Sequence, residues 1–185
     1  MFRFYLIIFI LLSSTNISAE GTYIGGGLSS IKLNSGHPSI NDQSGGGYHV
    51  LIGTRSKDWA LELAATGGLK FNAGETPGIY YPEDSAEYGN LDLDLKRFFH
   101  LDGHPGLSPW LGAGLSLHFT MWNTYAYDVS GLGYSLTGGV DYYMTRNWLV
   151  RGGMVYHKFK SDDTYDYGPY DDRAMQLNLT LMYLF

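Results

Sequence analysis

The sequence predicts an all-β fold, an eight-stranded antiparallel up-and-down β-barrel that is transmembrane, with its outer wall in lipid. Three observations predict it. The closing segment places Leu177, Leu179, Leu181, Tyr183 and Phe185 on one side and Gln176, Asn178 and Thr180 on the other, which is the period of two of a strand. Eight such segments can be laid along the chain, an even number as bacterial barrels require. The connections between them alternate between short and long. In hydrocarbon every backbone N–H and C=O must be paired internally, and only helices and closed barrels achieve this.

The amino terminus carries Arg3, an unbroken apolar run from Phe4 to Leu12, and a small polar stretch from Ser13 to Ala19. This is the pattern of an export signal cleaved after Ala19, which divides the chain into a signal peptide, 1–19, and a barrel domain, 20–185. The nine-residue apolar run falls well short of the roughly 20 residues a membrane-crossing helix needs.

The strands are expected at 21–33, 46–56, 58–72, 88–99, 108–122, 132–144, 148–160 and 173–185. The first, around Gly25-Gly26-Gly27, is ambiguous by parity. The second places Tyr48, Val50 and Ile52 outward, with His49 and Arg55 inward. In the third, Trp59, Leu61, Leu63, Ala65, Leu69 and Phe71 face lipid, and Glu62, Thr66, Lys70 and Asn72 the lumen. The fourth sets Leu91, Leu93, Leu95 and Phe99 against Asn90, Asp92, Asp94 and Lys96. The fifth sets Leu111, Ala113, Leu115, Leu117, Phe119 and Met121 against Trp110, Ser116, His118 and Thr120. The sixth turns Leu132, Tyr134, Leu136, Val140, Tyr142 and Met144 outward, with Ser135, Thr137 and Asp141 inward. The seventh turns Trp148, Val150, Met154 and Tyr156 outward, with Arg151 and His157 inward. Arg97 breaks the pattern on the lipid face near a strand end, where a long side chain can snorkel to the interface. A soluble barrel would reverse the two faces. The export signal, the loop asymmetry and the terminal aromatic favour the membrane.

Composition fits this reading. The 25 glycines and 16% aromatic residues suit many strands and tight turns, and the absence of cysteine excludes a disulfide scaffold. A net charge of −6 argues against nucleic acid as a partner. The six histidines, His37, His49, His100, His104, His118 and His157, are scattered without metal-ligand spacing. Neither a metal nor a cofactor is expected.

From Glu20 to Phe185 the chain resembles the OmpA, OmpX, OmpW and opacity-protein superfamily of eight-stranded outer-membrane barrels. The resemblance rests on Tyr23-Ile24-Gly25-Gly26-Gly27-Leu28, Pro109-Trp110-Leu111-Gly112-Ala113-Gly114, Gly139-Val140-Asp141-Tyr142-Tyr143 with Arg146-Asn147-Trp148, and the closing strand. It implies the bacterial outer membrane as location, reached by export through the inner membrane. It also implies contact with outer-membrane lipid and lipopolysaccharide, and Tyr183 and Phe185 as the assembly signal read by the barrel-assembly machinery. Short turns would then be periplasmic and long loops extracellular.

Three functions fit such a barrel. The first is a structural, adhesion or ligand-binding surface protein acting through its loops. Of the 18 acidic residues, eleven fall in the four long connections 34–45, 72–87, 123–131 and 161–172, with no Lys or Arg among them. The last connection is the strongest binding candidate, through Asp162, Asp163, Tyr165, Asp166, Tyr167, Tyr170, Asp171 and Asp172, since tyrosine offers rigid contact area and aspartate charge. A merely solvated loop is the alternative. The second is a narrow channel for small solutes. The lumen set Arg55, Glu62, Lys70, Asp92, Asp94, Lys96, Asp141 and Arg151 balances four charges of each sign, which favours a salt-bridged plug. The third is a lipid-modifying enzyme built on Ser116, His118 and Asp141. Those residues point into the lumen, so no enzymatic activity is expected.

Overall fold

The computed structural model describes residues 21–34, 36, 43–72, 85–101, 103–104, 106–122, 128–162 and 169–185. They form β1 (Gly21–Asn34), β2 (Gln43–Arg55), β3 (Trp59–Asn72), β4 (Ser85–Phe98), β5 (Leu107–Trp122), β6 (Asp128–Tyr143), β7 (Trp148–Asp162) and β8 (Tyr170–Leu184). Each strand pairs antiparallel with the next, and β1 pairs with β8 to close the barrel. The expected export segment lies outside the described residues.

Tight turns join β2 to β3 and β6 to β7. Ser56 N–H donates to Trp59 O at 2.8 Å, while Met144 and Thr145 both donate to Trp148 O. The strands run further toward the long connections than the apolar alternation does. β2 begins at Gln43, β4 at Ser85, β6 at Asp128 and β8 at Tyr170. In a closed cylinder every strand has a neighbour on both edges, so pairing continues past the lipid layer where side chains no longer need to alternate. Glu87, Asp128, Asp162, Asp171 and Asp172 are therefore strand-end residues rather than loop residues.

The ambiguous first strand resolves with Tyr23, Ser29, Ile31 and Leu33 buried inside and Ile24 and Leu28 outside. One expectation for the third strand is overturned. Between Thr66 and Leu69 the β3 register advances three residues against two on β4, and Gly68 adopts φ 96°, a left-handed conformation suited to glycine. This bulge inserts one extra residue and inverts the parity beyond it. Leu69 is buried inside and Lys70 is exposed on the outer wall, opposite Glu87. Lys70 thus leaves the lumen charge set. A cysteine at position 70 is expected to react with a membrane-impermeant maleimide on intact cells, whereas one at Lys96 stays unlabelled; the reverse pattern would contradict the bulge.

The outer wall is apolar, with Leu28, Leu115, Leu132, Leu177 and Leu179 all widely exposed. Aromatic side chains gather toward its two ends. At the short-turn end Trp148, Tyr183 and Phe185 meet edge to face, with successive ring centroids 5.0 Å apart. Arg97 lies in the same belt, its guanidinium 5.5 Å from the Trp59 ring centroid and 5.9 Å from that of Phe99, consistent with snorkelling at the interface. Toward the other end the belt holds Tyr48 and Tyr134.

Candidate functional site: the lumen and its outer rim

Strand register dictates the central contact of the lumen. Asp141 on β6 stands directly opposite Arg151 on β7, so carboxylate and guanidinium meet side by side. Arg151 donates from Nε to Asp141 Oδ1 at 2.7 Å and from Nη2 to Asp141 Oδ2 at 2.9 Å, the bidentate geometry that suits this pair. Its remaining amino group reaches Glu62 Oε2, and Lys96 Nζ pairs with Glu62 Oε1. Tyr23 donates its hydroxyl to Glu62 at 2.9 Å, and the Trp110 indole donates to Asp141 at 3.0 Å. Glu62, Lys96, Asp141 and Arg151 are all at least 97% buried. Burial at this level is tolerable only because each charge has an opposite partner and further hydrogen bonds.

Toward the short turns, Arg55 donates to Tyr143 and, at 3.1 Å, to Ser108. Its guanidinium stacks 3.6 Å from the Phe98 ring centroid and lies 3.7 Å from Asp141. An apolar cluster including Tyr23, Leu51, Phe98, Trp110, Leu149 and Met182 fills this end. Trp110 fits because β6 and β7 offer glycines there: a β-carbon at Gly139 would lie 2.7 Å from the indole. Toward the long connections the lumen passes through a hydrogen-bonded layer. His49 contacts Thr180 at 2.9 Å, and His118 bridges Tyr88 at 2.6 Å and Ser116 at 2.8 Å while stacking 3.7 Å from Phe159. A second apolar cluster, Ile31, Leu33, Leu69, Tyr88, Phe159 and Ala174, closes that end. Between the two plugs a cavity of about 20 Å³ is lined by Glu62, Asp92, Asp94, Lys96 and Arg151 among others, which is room for one water rather than a solute path.

Seven of the eight expected lumen charges converge, and Lys70 does not. Without it, the acids Glu62, Asp92, Asp94 and Asp141 face Arg55, Lys96 and Arg151, one cation fewer. Asp94 accepts from Ser135 at 2.5 Å, and Asp92 accepts from Asn90 at 2.5 Å. The second oxygen of Asp92 has no hydrogen bond among the described residues and faces His157 Nδ1 at 3.5 Å. Asp92 is therefore the weakly compensated member. The Ser116–His118 pair forms, but the other ring nitrogen of His118 goes to Tyr88 while Asp141 is committed to Arg151 and Trp110. A hydrolytic triad is not assembled.

Of the last-loop candidates, Asp163, Tyr165, Asp166 and Tyr167 lie outside the described residues, as do the side chains of Asp162 and Tyr170. Asp171 is exposed on β8. Asp172, expected to be exposed, is instead buried inside the barrel mouth and accepts from Gly36 N–H at 2.7 Å. Side-chain alternation along β8 forces this, because Asp172 shares a face with Ala174 and Gln176. The sequence reading missed Tyr23 and the Trp110 indole as partners of the charge network. Trp110 was visible as an inward aromatic, but its acceptor follows only from cross-strand geometry.

A family model described as outer membrane protein beta-barrel domain matches residues 5–185. The chain belongs to this outer-membrane β-barrel family. Its place is accordingly the bacterial outer membrane. Among solved structures it is similar to Neisserial surface protein A, with 18% identity, 91% of this chain and 99% of that one covered, and a TM-score of 0.71. It is similar to the outer membrane protein OprG from Pseudomonas aeruginosa, with 13% identity, 90% and 97% coverage and a TM-score of 0.65. It also resembles Ail, the attachment invasion locus protein of Yersinia pestis, solved with the heparin analogue sucrose octasulfate, with 12% identity, 90% and 99% coverage and a TM-score of 0.57. At these identities the likeness shows the shared barrel. No curated protein matches the sequence.

Proposed function

We propose that this outer-membrane barrel is a non-enzymatic surface protein, structural or adhesive, whose lumen is a permanent plug and whose recognition function lies in its extracellular connections. The observation that carries this reading is the doubly closed lumen: two apolar plugs enclose an ion-paired centre with room for a single water. With the lumen filled among the described residues, chemistry addressed to the outside is presented at the rim and loops in this reading. Residues 1–19 are removed on export in this reading, and Tyr183 and Phe185 are presented to the assembly machinery. Ail, a barrel of the same fold, is described as an attachment protein, which is the kind of role proposed here.

The recognition surface combines Asp162, Asp163, Asp166 and Asp171 with Tyr165, Tyr167 and Tyr170, and its charge suits a basic partner on a host or neighbouring surface. Asp172 is excluded, since its carboxylate ties the barrel mouth to Gly36. Replacing those four aspartates with asparagine is expected to leave heat-modifiable folding intact while weakening attachment of surface-displayed protein to basic matrix components. The remaining binding should also be less sensitive to salt, because charges are screened beyond roughly 8 Å at physiological ionic strength. Unchanged attachment with intact folding would reduce this loop to a solvated segment.

A further inference from the structure

The lipid-facing wall carries a cluster of cations that the lumen and loops do not explain. Lys158 on β7 stands directly opposite Arg173 on β8. Lys160 lies one outward step higher on β7, opposite Asp171, and Lys32 on β1 stands opposite Met175 of β8. Lys32, Lys160 and Arg173 are exposed and Lys158 is half-buried. None of the four forms an ion pair with a described residue. Like charges directly opposite each other on one face of a sheet are destabilising when nothing lies between them. Lys70, the other cation on this rim, has Glu87 opposite it; the Lys158 and Arg173 pair has no acid at its own level.

The height of the cluster identifies what lies between these cations. Lys158 is ten residues beyond Trp148 of the short-turn aromatic belt on the same strand. At roughly 3.3 Å per residue and a tilt of about 40°, that distance is about 25 Å along the barrel axis, the height of the apolar band of such barrels. Tyr134 stands beside Lys158 on β6, and Tyr156 and Met175 lie one outward step below. The cations thus sit at headgroup level, directly above wall that suits acyl chains. A soluble polyanion approaching from the loop side meets the exposed Asp171 first. A lipid arrives laterally and meets no such barrier.

We propose that Lys158, Arg173, Lys160 and Lys32 form a binding site for the phosphate groups of an outer-leaflet glycolipid, whose acyl chains lie against Tyr156, Met175 and the apolar wall beneath. Asp171 limits the site on the loop side and orders the headgroup toward Lys158 and Arg173. The site does not depend on what the loops recognise.

The test uses folded full-length barrel in phosphatidylcholine nanodiscs, titrated with lipopolysaccharide carrying intact lipid A phosphates or with the same material dephosphorylated. The intact form is expected to bind about tenfold more tightly, the scale of one or two charge-assisted contacts. The combined K158Q and R173Q variant should lose that preference, while R97Q, at the opposite end of the wall, should keep it. Inositol hexakisphosphate, a soluble polyphosphate, should not compete. If the combined variant does not give a heat-modifiable barrel, K32Q and K160Q are read singly, and each should reduce the preference. Equal binding of the two lipopolysaccharide forms, preference retained in these variants, or full competition by the soluble polyphosphate would overturn the proposal.

Discussion

Arg151→Ala is expected to destabilise the folded barrel by about 3–5 kcal/mol, the usual consequence of removing one member of a buried ion pair. The effect is large because Arg151 serves two carboxylates from different strands, Asp141 and Glu62. Losing it leaves Asp141 with the Trp110 indole and a more distant Arg55, and leaves Glu62 with Lys96 and the Tyr23 hydroxyl. Arg151→Lys should recover only part of the loss, since one ammonium cannot reproduce the fork that reaches both acids. Combining Arg151→Met with Asp141→Asn should recover more, because Glu62 keeps Lys96 and the Tyr23 hydroxyl while the carboxylate that faced Arg151 is neutral. Asp92→Asn supplies the contrast: removing the weakly compensated acid should leave stability unchanged or raise it. Denaturant unfolding in lipid vesicles, followed by tryptophan fluorescence, measures all of these. A loss under 1 kcal/mol for Arg151→Ala would show that the network is incidental to stability.

Deleting Phe185 is expected to reduce the amount of folded protein in the outer membrane several-fold, with little effect on secretion across the inner membrane. Two roles meet at this residue. Its backbone N–H donates to Thr22 O at 2.9 Å across the closing β1–β8 seam, and the residue is 70% exposed, with its ring ending the edge-to-face row with Tyr183 and Trp148. Phe185→Tyr should retain assembly, and Phe185→Asn should lose it while keeping the backbone bond. Heat-modifiable mobility of membrane fractions measures the folded fraction. Wild-type levels in both the deletion and Phe185→Asn would remove this aromatic from the assembly signal.

The barrel was legible in the sequence because the outer wall imposes a period of two on nearly every strand. The alternation in β4, β5 and β6 alone assigns Asp92, Asp94, Lys96, Ser116 and Asp141 to the lumen. Parity fails where the backbone departs from that period. Gly67-Gly68 was the available signal in β3, since adjacent glycines inside a strand mark a possible bulge. Reading straight through them placed Lys70 in the lumen and Leu69 in lipid. The strand ends were short in the sequence reading for a different reason: beyond the lipid layer hydrogen bonding persists without hydrophobic alternation, which hid Asp171 and Asp172 in an apparent loop. Which charges pair was legible only between neighbouring strands. The contact of Glu62 with Arg151 depends on cross-barrel reach, whereas the opposition of Asp141 and Arg151 and the diagonal between Glu62 and Lys96 lie on neighbouring strands.

The closed lumen is the central claim, and steady-state conductance of the unmodified folded barrel in planar bilayers tests it most directly. Two apolar plugs and an ion-paired centre predict no stable single-channel current, with conductance emerging in Arg151→Ala if the centre loosens before the barrel unfolds. Large, stable currents from the unmodified protein would contradict the plug and make solute passage its function.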